Sequence, residues 1–303
     1  MNILLTGANG FIGKHICQLY PDLNIMRVSR KQTNNDKCFY INELDECTDW
    51  ANAVQDSDVV IHLAGLAHSN SHTINDYNKV NVKGTLRLAE EAAKFGVQRF
   101  IFVSTIGVNG TSTSLTPFSA EQSINPHNDY AISKYDAEIG LKKIAKETGL
   151  EIIIIRPTLV YGANAPGNFG KLIKLVSKLP CLPFGLAKNR RDFISVQNLA
   201  DLLVTCAKHP RAAGHTFLAA ESETVSIKQF TNAIAKGLDK HLIQLPIPIT
   251  LMRLAGSLLG KSLIVDQLIG NLEVDTSNLK EVLDWVPPYT MEESMVFLKS
   301  QLR

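Results

Sequence analysis

The sequence predicts a doubly wound parallel α/β sheet followed by a smaller, interrupted C-terminal domain. Short β-rich runs alternate with helical periods through the first half of the 303 residues. Some of these runs are wholly apolar, such as Ile152–Ile155, which is typical of parallel strands buried on both faces. A glycine-rich segment, Thr6–Gly13, follows the first strand and opens the first helix. Together these observations predict an α/β fold of the Rossmann type.

The elements of the first half follow one another in strand–helix alternation. This alternation implies right-handed crossovers between parallel strands. Strands are predicted at Asn2–Thr6, Ile25–Val28, Val59–Leu63, Phe100–Val103 and Glu151–Ile155. Helices are predicted at Phe11–Leu19, Asp76–Phe95 and Asp129–Glu147.

The second half of the chain is less regular. Proline and glycine interrupt it repeatedly after Gly162, and helical periods are clear only at Asn198–Lys208 and Ser226–Leu238. We therefore expect two domains that exchange segments. Their expected bounds are residues 1–163 with 192–220, and residues 164–191 with 221–303.

Composition and charge exclude several classes of protein. The net charge is +2 and no basic run is interleaved with aromatic residues, so no nucleic-acid partner is predicted. The five cysteines are widely spaced and lack metal-ligand spacing, which predicts reduced thiols, no metal site and a cytoplasmic protein. The N-terminal run lacks the pattern of a signal peptide.

The most apolar late segment, Ile247–Ile269, is interrupted by Arg253, Lys261 and Asp266. These charges predict that the segment does not insert stably into a membrane. We expect an amphipathic helix pair that covers a core or a partner. Weak contact with a membrane surface is a second interpretation of the same pattern.

The segment Thr6–Gly13 has the spacing of a dinucleotide-binding turn. Gly7 permits a tight turn, Gly10 lets the backbone approach a pyrophosphate, and Gly13 allows close helix–strand packing. The helix N-terminus offers free N–H groups and a positive dipole end to the phosphates. The predicted cofactor-binding residues of this turn are Gly7, Asn9, Gly10, Phe11, Ile12 and Gly13.

The end of the second strand bears on the choice of cofactor. An acid at this position hydrogen-bonds the ribose hydroxyls of NAD. Ser29 and Arg30 stand here instead, and both can bind a 2′-phosphate. The sequence therefore favours NADP, with NAD as the alternative. A solvated basic loop explains the same residues without a cofactor.

Two further strand ends extend this candidate site. Leu63, Ala64 and Gly65 end the third strand, where small residues let the backbone lie against a cofactor. Ser104 and Thr105 end the fourth strand at the carboxyl edge, where open α/β sheets bind ligands. A hydroxyl there can hydrogen-bond a substrate carbonyl, although capping of the strand end also accounts for it.

Tyr130 and Lys134 stand four residues apart in a predicted helix and therefore share one face. A free tyrosine titrates near ~10. Because a fixed ammonium favours the phenolate, we expect Lys134 to lower the pKa of Tyr130 and make it a proton carrier. An ordinary surface pair has the same spacing, so this motif alone does not establish catalysis.

In this order the motifs resemble those of the extended short-chain dehydrogenase/reductases, in particular the NAD(P)-dependent nucleotide-sugar epimerase/dehydratase family. The resemblance covers nearly the whole chain. It includes UDP-glucose 4-epimerases and a subgroup similar to UDP-4-keto-6-deoxy-N-acetylhexosamine 4-reductases. Besides Thr6–Gly13 and Tyr130–Lys134, the matching segments are His62–Gly65, Asn81–Thr85, Val103–Gly110, Arg156–Gly162, Arg191–Val196 and Leu283–Trp285.

The resemblance implies a role for each of these residues. Thr105, Tyr130 and Lys134 are the implied catalytic set, with Tyr130 as the acid/base. Thr105 and Tyr130 also contact the substrate, as do Asn168 and Arg191, whose planar guanidinium suits a sugar diphosphate. The C-terminal domain is implied to be the nucleotide-sugar (substrate) domain, and the first domain the dinucleotide-binding one. The implied cofactor-binding residues outside the glycine turn are Ser29, Arg30, Leu63, Ala64, Gly65, Ser104, Tyr130, Lys134 and Pro157.

Departures from the family pattern bear on the reaction. Ile106-Gly107 follows Thr105 where the family's dehydratases have Asp-Glu, which argues against 4,6-dehydration. Ala67 stands where many UDP-galactose epimerases have Lys, and residues 270–273 lack the usual Arg-x-Gly-Asp nucleotide contact. Three polar residues follow Ala67, namely His68, Ser69 and Asn70. We expect them either to line the sugar site or to form a mobile polar loop.

Two activities fit the resemblance, and both transfer a hydride at C4 of a UDP-hexose or UDP-N-acetylhexosamine. The missing acid after the second strand favours a 4-ketoreductase of surface-polysaccharide sugar biosynthesis that consumes NADPH. A 4-epimerase with tightly held NAD is the alternative, and a non-catalytic NADP-sensing protein is a third interpretation. The resemblance also implies a homodimer formed through a four-helix bundle of Asp76–Phe95 and Asp129–Glu147.

Overall fold

The computed structural model describes residues 1–32, 37–67, 69, 71–121 and 124–302. Over these residues the main sheet has seven strands, all parallel, in the order β3-β2-β1-β4-β5-β6-β10. The predicted doubly wound sheet is therefore confirmed. The strands are β1 (Asn2–Thr6), β2 (Asn24–Ser29), β3 (Cys38–Tyr40), β4 (Val59–His62), β5 (Arg99–Val103), β6 (Glu151–Pro157), β7 (Leu159–Tyr161), β8 (Cys181–Leu182), β9 (Phe193–Ser195), β10 (Thr216–Ala219) and β11 (Ile243–Gln244).

Helices cover both faces of the sheet and build the second half of the chain. They are α1 (Phe11–Leu19), α2 (Ala51–Val54), α3 (Ile74–Tyr77), α4 (Thr85–Lys94), α5 (Asp129–Thr148), α6 (Gly167–Lys178), α7 (Val196–Lys208), α8 (Ile227–Gly237), α9 (Ile249–Leu258), α10 (Ser262–Ile269), α11 (Ser277–Leu283) and α12 (Met291–Val296). Short 3-10 turns lie at Ile106–Val108, Pro210–Ala212 and Phe297–Leu302.

Side chains along β6 alternate between the two faces of the sheet, so an apolar strand contributes to the core on each face. Ile153 and Ile155 belong to the core on the side of α1 and α7, whereas Ile152 and Ile154 belong to the core on the side of α4 and α5. Because a strand turns successive side chains to opposite faces, a wholly apolar strand needs cover on both. The sheet has that cover, as the sequence predicts.

One predicted helix is divided. In place of a continuous helix over Asp76–Phe95, α3 leads into a π-helical segment, Asn78–Gly84, and then into α4. Single π-helical turns are rare and are frequently found at functional sites. The short strands β3 and β10, which add one edge each to the sheet, were not among the predicted strands.

A third core cluster lies in the second half of the chain. It is rich in aromatic residues, with the Phe193 and Phe230 rings stacked 3.8 Å apart between centroids. Helices α6, α8 and α12 contribute most of its aliphatic members. Leu279 and Trp285, which also belong to the later segment, pack instead on the core beneath α7.

The late apolar segment forms the expected helix pair, α9 and α10. Within the described part of the chain, no helix is both long and apolar enough to cross a membrane.

Candidate active site

The strand order reverses between β1 and β4, so a crevice opens at the carboxyl ends of these two strands. Thr6 and His62, their last residues, stand opposite each other in the register. The glycine turn follows Thr6, and the segment Leu63–Gly65 follows His62. The structure therefore brings together two parts of the site that were predicted separately.

The glycine turn leaves no room for side chains. Gly7 has φ +70°, and a Cβ on it would lie 2.9 Å from the backbone nitrogen of Ala64. A Cβ on Gly13 would lie 2.4 Å from the carbonyl oxygen of Gly7. The Gly10 N–H donates to that same Gly7 carbonyl at 2.9 Å. Backbone alone therefore lines the start of α1, as a phosphate-binding turn requires.

Replacing Gly13 by Ala is expected to weaken dinucleotide binding at least about tenfold and to destabilise the fold by about 1–3 kcal/mol. The added methyl would overlap the Gly7 carbonyl and push α1 away from the turn. The measurements are cofactor titration by calorimetry and urea unfolding. Gly96→Ala is the control, since it strains a residue with φ +77° outside the site and should leave the cofactor Kd unchanged. Equal loss of affinity in both variants would contradict the assignment.

A buried hydrogen-bond chain fixes the two sides of the crevice. The Thr6 hydroxyl oxygen accepts the N–H groups of Leu63 and Ala64 at 3.2 and 3.1 Å. It also lies 2.7 Å from Nδ1 of His62, whose Nε2 is 2.9 Å from the Thr85 hydroxyl. Burial, and next to it the charge of Lys134, lowers the pKa of His62 to about 3, so this ring is neutral. Thr6 and His62 were not predicted as site residues.

The end of β2 lies beside the glycine turn. The Asn9 amide nitrogen is 3.4 Å from the Ser29 hydroxyl, and Ser29 is buried. The Ser29 hydroxyl donates to the Lys31 carbonyl at 2.9 Å and accepts the Lys31 N–H at 3.0 Å. Arg30 is exposed. At the end of β2, the side chains that can bind a phosphate are thus those of Asn9, Arg30 and Lys31. The Ser29 hydroxyl is already hydrogen-bonded to the backbone of Lys31.

Thr105 and Tyr130 are brought together by a turn and a helix cap. The Thr105 hydroxyl accepts the Gly107 N–H at 3.1 Å, and the Asn128 side chain accepts the Ala131 N–H at 2.8 Å, which starts α5 just before Tyr130. A Cβ on Gly107 would touch both the Thr105 hydroxyl, at 3.4 Å, and the Ala131 methyl, at 3.5 Å. The Thr105 hydroxyl therefore faces the first turn of α5.

Lys134 lies on the face of α5 that covers the sheet. Its ammonium is 4.1 Å from the centroid of the Phe102 ring on β5. Burial lowers the pKa of Lys134 to about 7, and the nearby Glu138 carboxylate opposes this shift. Both the charged and the neutral form of Lys134 are therefore populated at neutral pH.

The pKa of Tyr130 moves in the opposite direction from the expected one. Burial raises it to about 12, and the neighbouring Tyr77 adds to this rise from a ring-centroid distance of 6.1 Å. The expected lowering by Lys134 is wrong here, because removal of the phenolate from water dominates the pKa of Tyr130. Tyr130 is accordingly a protonated acid, ready to donate to an oxygen that gains negative charge.

A buried ion-pair network that was not predicted lies beside the predicted catalytic residues. Glu138 and Arg156 form a bidentate pair with contacts of 3.0 and 2.5 Å, and their side chains are 1% and 2% exposed. The Ser104 hydroxyl donates to Glu138 at 2.5 Å, and Arg156 donates to Asn109 at 3.0 Å. The Ser104 side chain is therefore committed to this network. Helical spacing could have indicated that Glu138 belongs to the site, because it stands one helical turn beyond Lys134.

Asn81 in the π-helical segment connects the loop after β4 to α5. Its side chain accepts the Leu66 N–H at 2.7 Å and donates to the Leu66 carbonyl at 3.1 Å and to the Ser133 hydroxyl at 3.0 Å. Tyr77 anchors the same loop, because its hydroxyl accepts the Ser69 N–H at 3.0 Å. His68 and Asn70, expected to line the sugar site or a loop, lie outside the described residues.

The remaining predicted residues lie on later elements. Pro157 is buried at the carboxyl end of β6. Asn168 is exposed in the first turn of α6. The Arg191 guanidinium donates to the Gly270 carbonyl at 3.1 Å. Burial lowers its pKa to about 10, against the attraction of Asp192, so it remains a cation at neutral pH.

The later elements meet the glycine turn through Gly162. A Cβ on Gly162 would lie 3.4 Å from the Phe11 ring. The chain that leads from β7 towards Asn168 therefore starts against the predicted cofactor site. Within the described ranges, no group of histidine, cysteine and acidic side chains is arranged to hold a metal ion.

The fold and this site define a dinucleotide-dependent enzyme of the extended short-chain dehydrogenase/reductase class. The chain belongs to the NAD dependent epimerase/dehydratase family, whose model matches residues 3–220. Among its relatives is a protein of Vibrio cholerae named UDP-glucose 4-epimerase, 41% identical over 96% of this chain and 92% of the relative. The epimerase/dehydratase resemblance stated from the motifs is confirmed.

Solved structures agree with this fold. UDP-glucuronic acid 4-epimerase from Bacillus cereus in complex with NAD has a TM-score of 0.77 at 21% identity, covering 100% of both chains. UDP-glucose 4-epimerase from Thermotoga maritima with UDP-glucose has a TM-score of 0.76 at 22% identity, covering 100% of this chain and 98% of that one. At these identities the likeness supports the fold.

Proposed function

We propose that this protein is a 4-epimerase of a UDP-hexose or UDP-N-acetylhexosamine that keeps a nicotinamide dinucleotide bound between turnovers. The observation that carries the proposal is the complete Thr105–Tyr130–Lys134 set in a chain that shares 41% of its residues with a relative named UDP-glucose 4-epimerase. This proposal replaces the 4-ketoreductase as the first interpretation.

The crevice between β1 and β4 suits a dinucleotide, because the lack of a Cβ at Gly7 and Gly13 lets the turn pack closely on Leu63–Ala64 and on the start of α1. The backbone of residues 7–13 would hold the pyrophosphate, and Leu63–Gly65 would lie along the other wall. Ser104 and Pro157 would border the nicotinamide end. When bound, this group supplies a hydride acceptor and donor for C4 of the sugar.

The chain's own residues then transfer the proton of the C4 hydroxyl and bind the C4 oxygen. The Tyr130 phenol first releases its proton to solvent. The phenolate then accepts the proton of the C4 hydroxyl as C4 is oxidised and returns it to the C4 oxygen as C4 is reduced again, while the Thr105 hydroxyl donates a hydrogen bond to that oxygen. Protonated Lys134 stabilises the phenolate that Tyr130 becomes and binds the ribose of the dinucleotide. Asn168 and Arg191 hold the sugar nucleotide, with the Arg191 cation on its diphosphate.

A second candidate is a 4-ketoreductase that consumes NADPH. The observation that favours it is the end of β2, where Ser29 and exposed Arg30 stand in place of an acid. In that case Arg30 and Asn9 would bind the 2′-phosphate, and the cofactor would be NADP rather than NAD.

One pair of assays tests both candidates. The purified protein is incubated with UDP-glucose or UDP-N-acetylglucosamine without added cofactor, and separately with UDP-4-keto-6-deoxy-N-acetylglucosamine and NADPH. Interconversion in the first assay, with dinucleotide released only on denaturation, supports the epimerase. Stoichiometric loss of NADPH without interconversion overturns it in favour of the reductase, and the absence of both reactions contradicts both candidates.

The division into domains, the location and the assembly complete the proposal. We place the dinucleotide on residues 1–163 and 192–220 and the sugar nucleotide on residues 164–191 and 221–303, in a cytoplasmic homodimer. The outer face of α5 supports the dimer, since Ile132 and Ile139 stand two turns apart there and are 42% and 51% exposed. Light scattering of the wild type and of Ile139→Glu measures the assembly directly.

A further inference from the structure

Helix α9 carries an apolar stripe on its solvent side. Leu251, Leu254 and Leu258 are spaced to share one face and are 52%, 56% and 80% exposed. Leu259 and Ile264, in the turn and in α10, are also more than half exposed. A cluster of large exposed aliphatic side chains on a helix pair is unusual for a free surface and indicates that something covers it.

The packing of the helix pair shows that these leucines do not belong to the core. Ile249, Met252 and Leu268 provide the side that packs on the third core cluster. Gly256 lies so close to α10 that a Cβ on it would be 2.7 Å from Val265. An ion pair of 3.2 Å between Arg253 and Asp266 also joins the two helices. The pair is therefore fixed with its leucine stripe outward.

Basic residues are exposed on another helix of the same core cluster. Helix α6 packs on the same core cluster and exposes Lys171, Lys174 and Lys178 along one face. Lys240 donates to the Ser177 carbonyl, and β11 pairs with β8, which connects the end of α6 to the segment before α9. Residues 164–191 contain no acidic side chain and the following basic ones: Lys171, Lys174, Lys178, Lys188, Arg190 and Arg191.

We infer that the α9–α10 pair and the lysine face of α6 form a surface by which this protein attaches to an anionic lipid bilayer. Leucines that enter the acyl boundary beside lysines that meet anionic headgroups are the combination that such peripheral attachment uses. The occupant is a bilayer rather than a second copy, because a two-fold contact over this whole surface would bring two basic faces into one interface, where like charges repel. The inference goes beyond the proposed function and does not depend on which reaction the site performs.

Attachment in this way also orients the site. Gly270, directly after α10, accepts the hydrogen bond of Arg191, the residue proposed to hold the sugar diphosphate. The bilayer would therefore lie on the side of the molecule where the substrate domain receives its sugar nucleotide.

Vesicle flotation tests the inference on the full-length protein. Vesicles of phosphatidylcholine with phosphatidylglycerol are compared with vesicles of phosphatidylcholine alone, at low and high salt. We expect binding to the anionic vesicles that weakens with salt. Leu254→Glu with Leu258→Glu should lower the partition coefficient at least about tenfold, and Lys174→Gln should lower it about fivefold.

Leu19→Glu with Val286→Glu is the matched control, since it adds the same two charges at aliphatic side chains that are 36% and 61% exposed outside the helix pair, and it should leave the partition coefficient unchanged. Activity without lipid should be equal in all variants, which shows that each is folded. Partitioning that is equal for both vesicle types, or unchanged in the double leucine variant, would overturn the inference. So would a change from dimer to monomer caused by the leucine variant in lipid-free gel filtration, because the stripe would then be an interface between copies.

Discussion

Tyr130→Phe is expected to lower kcat by about 10²–10⁴-fold, the usual contribution of a positioned general acid or base. The substitution removes only the hydroxyl from a buried side chain whose pKa is raised to about 12. Because the phenol is protonated at neutral pH, the variant loses its proton donor and not a charge. Dinucleotide binding should remain within about twofold of the wild type, since the backbone of the glycine turn carries most of that affinity.

Tyr135→Phe is the matched control, because it makes the same change on α5 five residues further along, off the Tyr130–Lys134–Glu138 face. Its kcat should stay close to that of the wild type. The measurements are steady-state kinetics on the substrate identified by the two assays, and calorimetric titration of the dinucleotide. Full activity in Tyr130→Phe would refute the catalytic assignment, and loss of dinucleotide binding would show that the hydroxyl serves the cofactor site instead.

The sequence predicts those parts of the site whose residues all lie in one short segment, because the spacing along the chain then fixes their relative positions. Residues 6–13 form a strand, a turn and a helix start within eight consecutive residues, so their spacing alone indicates the crevice. Tyr130 and Lys134 share a helix face for the same local reason. The wholly apolar run Ile152–Ile155 in β6 likewise predicted a sheet with two covered faces.

Contacts between distant segments explain what the sequence did not reveal. Thr6 meets His62 across 56 positions, and Asn81 meets Ser133 across 52. Neither pair has a local signature, and a π-helical segment is not distinguished from an α-helix by hydrophobic periodicity. The direction of the Tyr130 pKa shift depended on burial, which spacing cannot supply.

The choice of reaction changed for a related reason. Ser29-Arg30 was the basis for a reductase, because a hydroxyl and a guanidinium both suit a 2′-phosphate. The structure shows the Ser29 hydroxyl donating to the Lys31 carbonyl, which leaves Arg30 as the stronger of the two clues. One exposed arginine is weaker support than a relative that is 41% identical over 96% of the chain.

Glu138→Gln is expected to destabilise the protein by about 3–5 kcal/mol, because it leaves the buried Arg156 cation without its counter-charge. The Arg156 side chain is 2% exposed, so solvent compensates little for the loss of the carboxylate. The measurement is the free energy of unfolding in urea. The double variant Glu138→Leu with Arg156→Met removes both charges and should regain most of that loss. If the single variant is as stable as the wild type, the pair has no structural importance.

The pH profile of kcat in the same double variant distinguishes a role of Glu138 in stability from a role in catalysis. Glu138 favours the protonated form of Lys134, whose pKa lies near 7 because of burial. Protonated Lys134 is the form that stabilises the Tyr130 phenolate, so activity should fall as pH rises through this pKa. Without Glu138 the pKa of Lys134 decreases further, and the alkaline limb of kcat should therefore move to lower pH. A folded double variant with an unshifted limb would show that the Glu138–Arg156 pair supports the fold and has no net electrostatic effect on Lys134.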